Sequence, residues 1–209
     1  MGYLKAYADS RPSLKGRVEI VLTGYRLQDP DAVAANLLAG VPNLVGFSCY
    51  TWNLEFVSLV AKRLKKLRPG VQIVIGGPET SWWGENTLKE GTVDYVVKGE
   101  GEATFAELLE HLAGRREPSE VRGLVYLRRG RLVANPPRPL IENLDSIPCP
   151  YKSGVLRVPA DYRGVVVIET LRGCPYACAF CGWSSQGNRV RFFSVARVLE
   201  TVRGLLEAS

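Results

Sequence analysis

Val71-Gln-Ile-Val-Ile75-Gly76-Gly77-Pro78-Glu79 is the stretch whose reading decides the fold. A β-branched run of this length with no alternating polar face reads as a strand buried on both sides, and the glycines and proline after it read as a turn. Upstream, Asn53 to Arg68 reads as one helix: Val57, Val60, Leu64 and Leu67 fall at helical spacing, Asn53 is its expected cap and Pro69-Gly70 its stop. Asn43-Leu-Val-Gly-Phe-Ser48 before it reads as a strand ending in the polar loop Cys49 to Asn53. Earlier still, Arg17-Val-Glu-Ile-Val-Leu22 reads as a strand, Asp29-Pro30 opens a helix leading through 32–38, and Met1 to Ala8 is a helical piece. Downstream, Val93-Asp-Tyr-Val-Val97 is a further strand, ending in Lys98-Gly99-Glu100-Gly101-Glu102, with a helix over 104–112. Strands alternating with helices, with no hairpin turn between them, predict an α/β fold: a doubly wound, Rossmann-like parallel sheet over residues 1–114.

In such a sheet, ligands bind at the carboxyl ends of the strands, where Ser48 to Asn53, Gly76 to Glu79 and Gly99 to Glu102 fall. Glycines there admit a ligand to the backbone, as they admit a plain turn, and neither loop matches the dinucleotide fingerprint G-x-G-x-x-G in its required setting. After Gly114 the pattern changes. Leu124 to Leu127 and Leu132 to Ala134 read as a hairpin with Gly130 in its turn, and two Pro-rich pieces, Asn135 to Pro139 and Ile147 to Pro150, make residues 115–150 a connector. Residues 151–209 form a third part, with Val165-Val-Val-Ile168 as a buried parallel strand and a helix from a Ser194 cap through Leu206.

Between those two elements lies Glu169-Thr-Leu-Arg-Gly-Cys174-Pro-Tyr-Ala-Cys178-Ala-Phe-Cys181-Gly-Trp183, which holds three of the chain's five cysteines. The spacing C-x-x-x-C-x-x-C lets three thiolates of one loop converge on one inorganic centre. Iron–sulfur clusters are usually held by four cysteines, so three suggest a 4Fe-4S cluster with one iron open to an exogenous ligand. A zinc site is the alternative, with only the distant Cys149 to serve as fourth ligand. A disulfide framework fits poorly with a chain that opens on no secretory signal.

This stretch resembles the cluster loop of the radical S-adenosylmethionine (radical SAM) enzymes, whose motif it matches at Cys174, Cys178 and Cys181, with Phe180 in the place of an aromatic near the adenine. The resemblance implies that the open iron binds the amino and carboxylate groups of S-adenosyl-L-methionine. One-electron reduction would then yield a 5'-deoxyadenosyl radical or other electron-transfer chemistry. Residues 18–113 resemble the cobalamin-binding domain of one branch of that family, on Val45 to Asn53, Val74 to Glu79 and Asp94 to Glu102, and Leu144 to Tyr151 resembles its link to the barrel. Ser48, Cys49, Tyr50, Thr51, Gly76, Gly77, Pro78, Glu79, Gly99, Glu100, Gly101 and Glu102 would then line the corrinoid and its nucleotide tail. Two departures stand out. The D-x-H-x-x-G loop of many cobalamin folds is absent, and the sole histidine, His111, reads as a structural helix residue. After the cysteine loop only one strand–helix unit of a radical SAM β/α barrel fits, so the reading expects an amino-terminal part of such an enzyme, inactive alone, with the barrel incomplete.

Composition sets outer bounds. At 46% hydrophobic residues the chain can build an ordinary core. The longest apolar runs fall short of the roughly 20 residues that span a bilayer, so no membrane partner is expected, and a cytoplasmic location fits oxygen-sensitive thiols. The net charge of +6 is dispersed. Lys62, Arg63, Lys65, Lys66 and Arg68 read as the solvated face of a helix, and nucleic acid is not the expected partner. The leading expectation is a cobalamin-dependent methyltransferase or other small-molecule-modifying enzyme, with a small-molecule substrate, a reducing electron donor and a separate chain completing the barrel as its candidate partners. The competing readings are a non-enzymatic corrinoid carrier or sensor, and a zinc-stabilised nucleic-acid-binding module.

Overall fold

A computed structural model of the chain describes residues 1–25, 29–159, 161–176, 178–181 and 189–207. In chain order the elements are α1 (Gly2–Asp9), α2 (Pro30–Ala39), β1 (Leu44–Ser48), α3 (Leu54–Leu67), β2 (Gln72–Gly76), α4 (Thr80–Lys89), β3 (Tyr95–Val97), α5 (Gly101–Leu112), β4 (Leu124–Arg128), β5 (Arg131–Ala134), β6 (Leu171–Arg172), β7 (Arg191–Phe192) and α6 (Val195–Glu207). They form two compact units, Val21–Arg138 and Met1–Ile20 with Pro139–Ser209.

The first unit is a five-stranded sheet of order β1-β2-β3-β4-β5. β1, β2 and β3 run parallel, with Val45 opposite Ile73 and Ile75 opposite Val96. Alternation along the strands sends side chains to two cores. Val45, Ile73, Ile75, Val96 and Val125 pack with Val33, Val57, Val60 and Leu64 of α2 and α3, whereas Val74, Tyr95, Val97, Leu124 and Tyr126 pack with Leu108 of α5. Helices on both faces make the sheet doubly wound, the reason β2 carries no polar face. Truncating Leu64, which is fully buried, to Ala removes about 2–5 kcal/mol of packing.

Local chemistry explains most boundaries. The Asp29 carboxylate accepts from the Asp31 and Ala32 amides at 3.4 and 3.2 Å, with Pro30 in the first turn of α2. Asn53 precedes α3 without a side-chain cap bond to it. Its side chain turns back instead, accepting from the Tyr50 amide at 2.8 Å and donating to the Ser48 carbonyl at 2.9 Å, so it shapes the loop after β1. Three of the basic residues on α3 and at its end are not merely solvated. The Lys65 ammonium donates to the Val71 carbonyl and to Asp94, Arg63 pairs with Asp31, and Arg68 donates to the Pro42 carbonyl.

Several expected elements differ. Residues 18–22 form no ladder, and Val21 is 72% exposed, leaving β1 as the sheet edge. The hairpin is present, with Arg129 and Gly130 both at positive φ as a two-residue turn requires, but it is no part of a connector. β4 pairs antiparallel with β3, Tyr126 opposite Tyr95, because its Leu124, Val125 and Tyr126 are all apolar enough to be buried on both sheet faces. The sheet is therefore mixed, and the sheet unit continues past Gly114 to Arg138.

The second unit gathers α1, residues 141–147, β6, β7 and α6. Its core is Leu144, Ile147 and Phe193, with Tyr3, Tyr7, Ile141 and Val198 packed against it. Ser194 caps α6 as expected, accepting from the Arg197 amide at 3.1 Å. The expected strand at 165–168 is not one: Val165 and Val167 are 83% and 77% exposed, and no described strand pairs with them. A parallel strand exists only by its neighbour's hydrogen bonds, and here the Val167 carbonyl accepts instead from the Tyr151 hydroxyl at 2.7 Å.

Candidate functional site

The carboxyl edge of the sheet brings together all three loops singled out in the sequence. Gly77, at φ +109°, is pressed so closely against the loop after β1 that an added Cβ would lie 2.5 Å from the Cys49 carbonyl oxygen and 2.9 Å from its nitrogen. The Cys49 amide donates to the Gly76 carbonyl at 2.7 Å, and the Thr51 hydroxyl donates to Glu79 at 2.8 Å. Gly77 is thus a close contact between two loops of the edge.

Cys49 itself is fully buried in the core, and burial, with Glu79 adding to it, pushes its thiol up to about 12. From this loop Ser48 and Tyr50 are half-buried and Thr51 is exposed, while Trp52 is 76% exposed and stacks on Tyr50 with ring centroids 4.6 Å apart. Trp52 falls inside the Ser48 to Asn53 loop singled out in the sequence but is not among the contacts named there; an exposed aromatic next to a strand end is the signal that could have found it.

Gly76, Pro78 and Glu79 are half-buried, and Glu79 precedes α4 without a side-chain cap bond. Gly99 is exposed at φ +79°, with open space where a Cβ would stand. Glu100 precedes α5, Gly101 opens it, and Glu102 is buried in its first turn. Carboxylates therefore dominate this edge, which suits ligands presenting amide or hydroxyl donors. His111 lies on α5, its Nδ1 2.9 Å from the Arg116 carbonyl and its ring edge-on to Tyr95, a packing role.

The second candidate site is the cysteine loop. It leaves from a two-stranded ladder, Leu171 opposite Phe192 and Arg172 opposite Arg191, that sequence reading missed because each strand has only two residues. Gly173, at φ +95°, lies against the Arg189 carbonyl, 2.1 Å from where a Cβ would stand. Cys174 and Cys181 are half-buried and Cys178 is exposed, and no cysteine of the chain is in a disulfide. The Cys181 amide donates to the Cys178 carbonyl at 3.0 Å, a turn that puts these two on one bend. The three thiols are not assembled: among the described residues no three His, Cys, Asp or Glu side chains stand close enough to hold a metal ion. Phe180 is 94% exposed, and Trp183 lies outside the described residues. The donor set fits a cluster in its chemistry, three unbridged thiols reachable from solvent on one loop. No described helix is long and apolar enough to cross a membrane.

Residues 12–109 match the B12 binding domain family. The chain is 40% identical over 163 residues to an uncharacterized methyltransferase of Pyrococcus horikoshii, an alignment covering 76% of this chain and 36% of the relative. It is 32% identical over 197 residues to the cobalamin-dependent radical SAM methyltransferase TokK of Streptomyces tokunonensis, covering 88% of this chain and 28% of that enzyme. The chain therefore spans about a third of the length of these curated relatives. In structure it is similar to the radical S-adenosylmethionine methyltransferase TsrM of Kitasatospora setae, with a TM-score of 0.68 at 19% identity over 98% of this chain and 42% of the enzyme, a likeness of fold. The chain therefore carries a B12 binding domain and is related to the cobalamin-dependent radical SAM methyltransferases.

Proposed function

We propose that this chain supplies the cobalamin seat and the cluster loop of a cobalamin-dependent radical SAM methyltransferase acting on a small molecule. The observation that carries the reading is the presence, in one chain, of a B12 binding domain and a C-x-x-x-C-x-x-C loop. When bound, the cluster would supply the electron that cleaves S-adenosylmethionine, and cobalamin would carry the methyl group. Cys174, Cys178 and Cys181 would hold the 4Fe-4S cluster, with Phe180 beside the S-adenosylmethionine adenine. Ser48, Tyr50, Thr51, Gly76 to Glu79 and Gly99 to Glu102 would hold cobalamin. Glu79 and Glu100 would accept from the corrin's amide side chains, and the stacked Tyr50–Trp52 pair would offer it a flat apolar surface. Cys49 would act through its backbone alone, since its thiol is in the core.

The test is anaerobic reconstitution of the whole chain with iron, sulfide and cobalamin. Stoichiometric iron and sulfide, with cobalamin retained through dialysis, are the expected result. Zinc in place of iron, or cobalamin lost at micromolar concentration, would refute the respective half of the reading.

A further inference from the structure

The base of the cysteine loop carries a built constellation to which nothing so far assigns a role. The Arg172 guanidinium lies between Glu169 and Tyr3. It donates twice to the carboxylate, Nε to Oε1 at 3.1 Å and an Nη to Oε2 at 3.0 Å, and sits 5.7 Å from the centroid of the Tyr3 ring. Its side chain is only 13% exposed. Tyr3 in turn stacks on Phe193 at 6.1 Å, and the Phe193 amide donates to the Thr170 carbonyl at 3.0 Å. Helix α1 therefore meets β6 at the Arg172 side chain, two residues before Cys174, and Phe193, just after β7, packs on the same tyrosine. The exit is fixed as well: Arg191, opposite Arg172 in the ladder, is buried and donates to the Ile141 carbonyl at 2.7 Å, and Gly173 leaves no room for the backbone to shift toward Arg189.

We propose that Arg172 is a positioning residue for the cluster loop: clamped as a planar fork between Glu169 and the Tyr3 ring, it sets the direction in which the backbone departs from β6 toward Cys174. The inference rests on the cluster reading above. Only a guanidinium meets both demands at once, since its fork pairs bidentately with a carboxylate while its flat face lies on an aromatic ring; an ammonium gives up the fork. Residues that orient metal ligands without touching the metal typically alter metal retention by about 10–100-fold when replaced.

The experiment compares the reconstituted full chain with R172A, R172K and E169Q under anaerobic conditions. Each is scored by the rate at which an iron chelator strips the cluster and by the electron paramagnetic resonance lines of the reduced cluster, with circular dichroism monitoring the fold. R172A and E169Q should lose iron about tenfold faster than the unaltered chain and give broadened lines from a mixture of loop arrangements. R172K, which restores the charge without the fork, should remain near R172A. Should R172A fail to fold, R172K and E169Q carry the comparison. Wild-type stripping rates and line shapes in the folded variants overturn the positioning role, as does full rescue by R172K, which would make charge sufficient. An unaltered chain that takes up no iron and sulfide instead refutes the cluster reading, and that result is read from the wild-type arm alone.

Discussion

Replacing Gly77 with Ala tests whether the ligand edge is set by contact between its own loops. A non-glycine residue held at φ +109° costs about 1–3 kcal/mol of backbone strain. The new Cβ would also meet two Cys49 backbone atoms, at 2.5 and 2.9 Å, which no rotamer change can move aside. Forcing an atom into such a place costs about 1–3 kcal/mol more. Gly99→Ala is the control, because Gly99 is also left-handed, at φ +79°, yet has open space around its Cβ position and so carries only strain, about 1–2 kcal/mol. At about 2–4 °C per kcal/mol for a chain of this size, G77A should melt roughly 10 °C below the unaltered protein and G99A roughly 4 °C below it. Thermal denaturation followed by far-ultraviolet circular dichroism reads both. Equal melting temperatures for the two variants would show that the loops part without cost and that the contact between Gly77 and Cys49 does not shape the edge. If the edge binds cobalamin, G77A should also weaken retention in dialysis, since the loop after β1 moves with it.

Ala at Cys174, Cys178 or Cys181 should each abolish the iron and sulfide content of the reconstituted chain, while Ala at Cys149 leaves it intact; a cluster surviving C178A would count against three-cysteine ligation. Asp94→Ala removes the acceptor shared by the Lys65 ammonium and the Ile73 amide, both at 2.7 Å, and should cost about 2 kcal/mol in urea unfolding, with Asp94→Asn losing less because it can still accept from the amide. Cys49 should resist alkylation in the folded chain at pH 8 while Cys178 reacts, as read by peptide mass mapping. Its thiol titrates near 12 when folded against 9.0 ordinarily, so the folded state binds the extra proton. This contribution to stability is complete below about pH 9 and is lost as pH rises from there toward 12; a melting temperature that rises across that window would contradict the assignment.

What the sequence made legible was local. Asp29-Pro30 opens a helix because a carboxylate cap and a preset φ need no distant partner, and Val71 to Ile75 reads as a buried strand because β-branched residues suit both faces of a covered sheet. Arg129-Gly130 turns a hairpin for the same kind of reason. Partner choice was not legible. Nothing in Leu124 to Tyr126 says that it continues the sheet beyond β3, and nothing in Asn53 says that it braces Ser48 and Tyr50 in preference to capping α3. At the site, the cysteine spacing and the three edge loops were visible, because ligand spacing and strand-end glycines are short-range patterns. The clamp on Arg172 was not, since Tyr3 comes from the far end of the chain, and neither was the inward turn of Cys49, which depends on the pleat of a loop continuing β1.

The prolines that follow β5 are moored. The Gly123 amide donates to the Pro136 carbonyl at 2.9 Å, the Arg122 guanidinium donates to the Pro137 carbonyl, and Arg138 reaches the Thr104 hydroxyl at 2.9 Å and pairs with Glu107, both on α5. The helix that opens directly beneath the Gly99–Glu102 loop is thus also the anchorage of the chain as it leaves the sheet. Whatever displaces the start of α5 must load this mooring, and whatever pulls on residues 136–138 must be felt at that loop. Any occupant of the loop and any tension on the tether would be thermodynamically linked, each altering the other's equilibrium by the same factor.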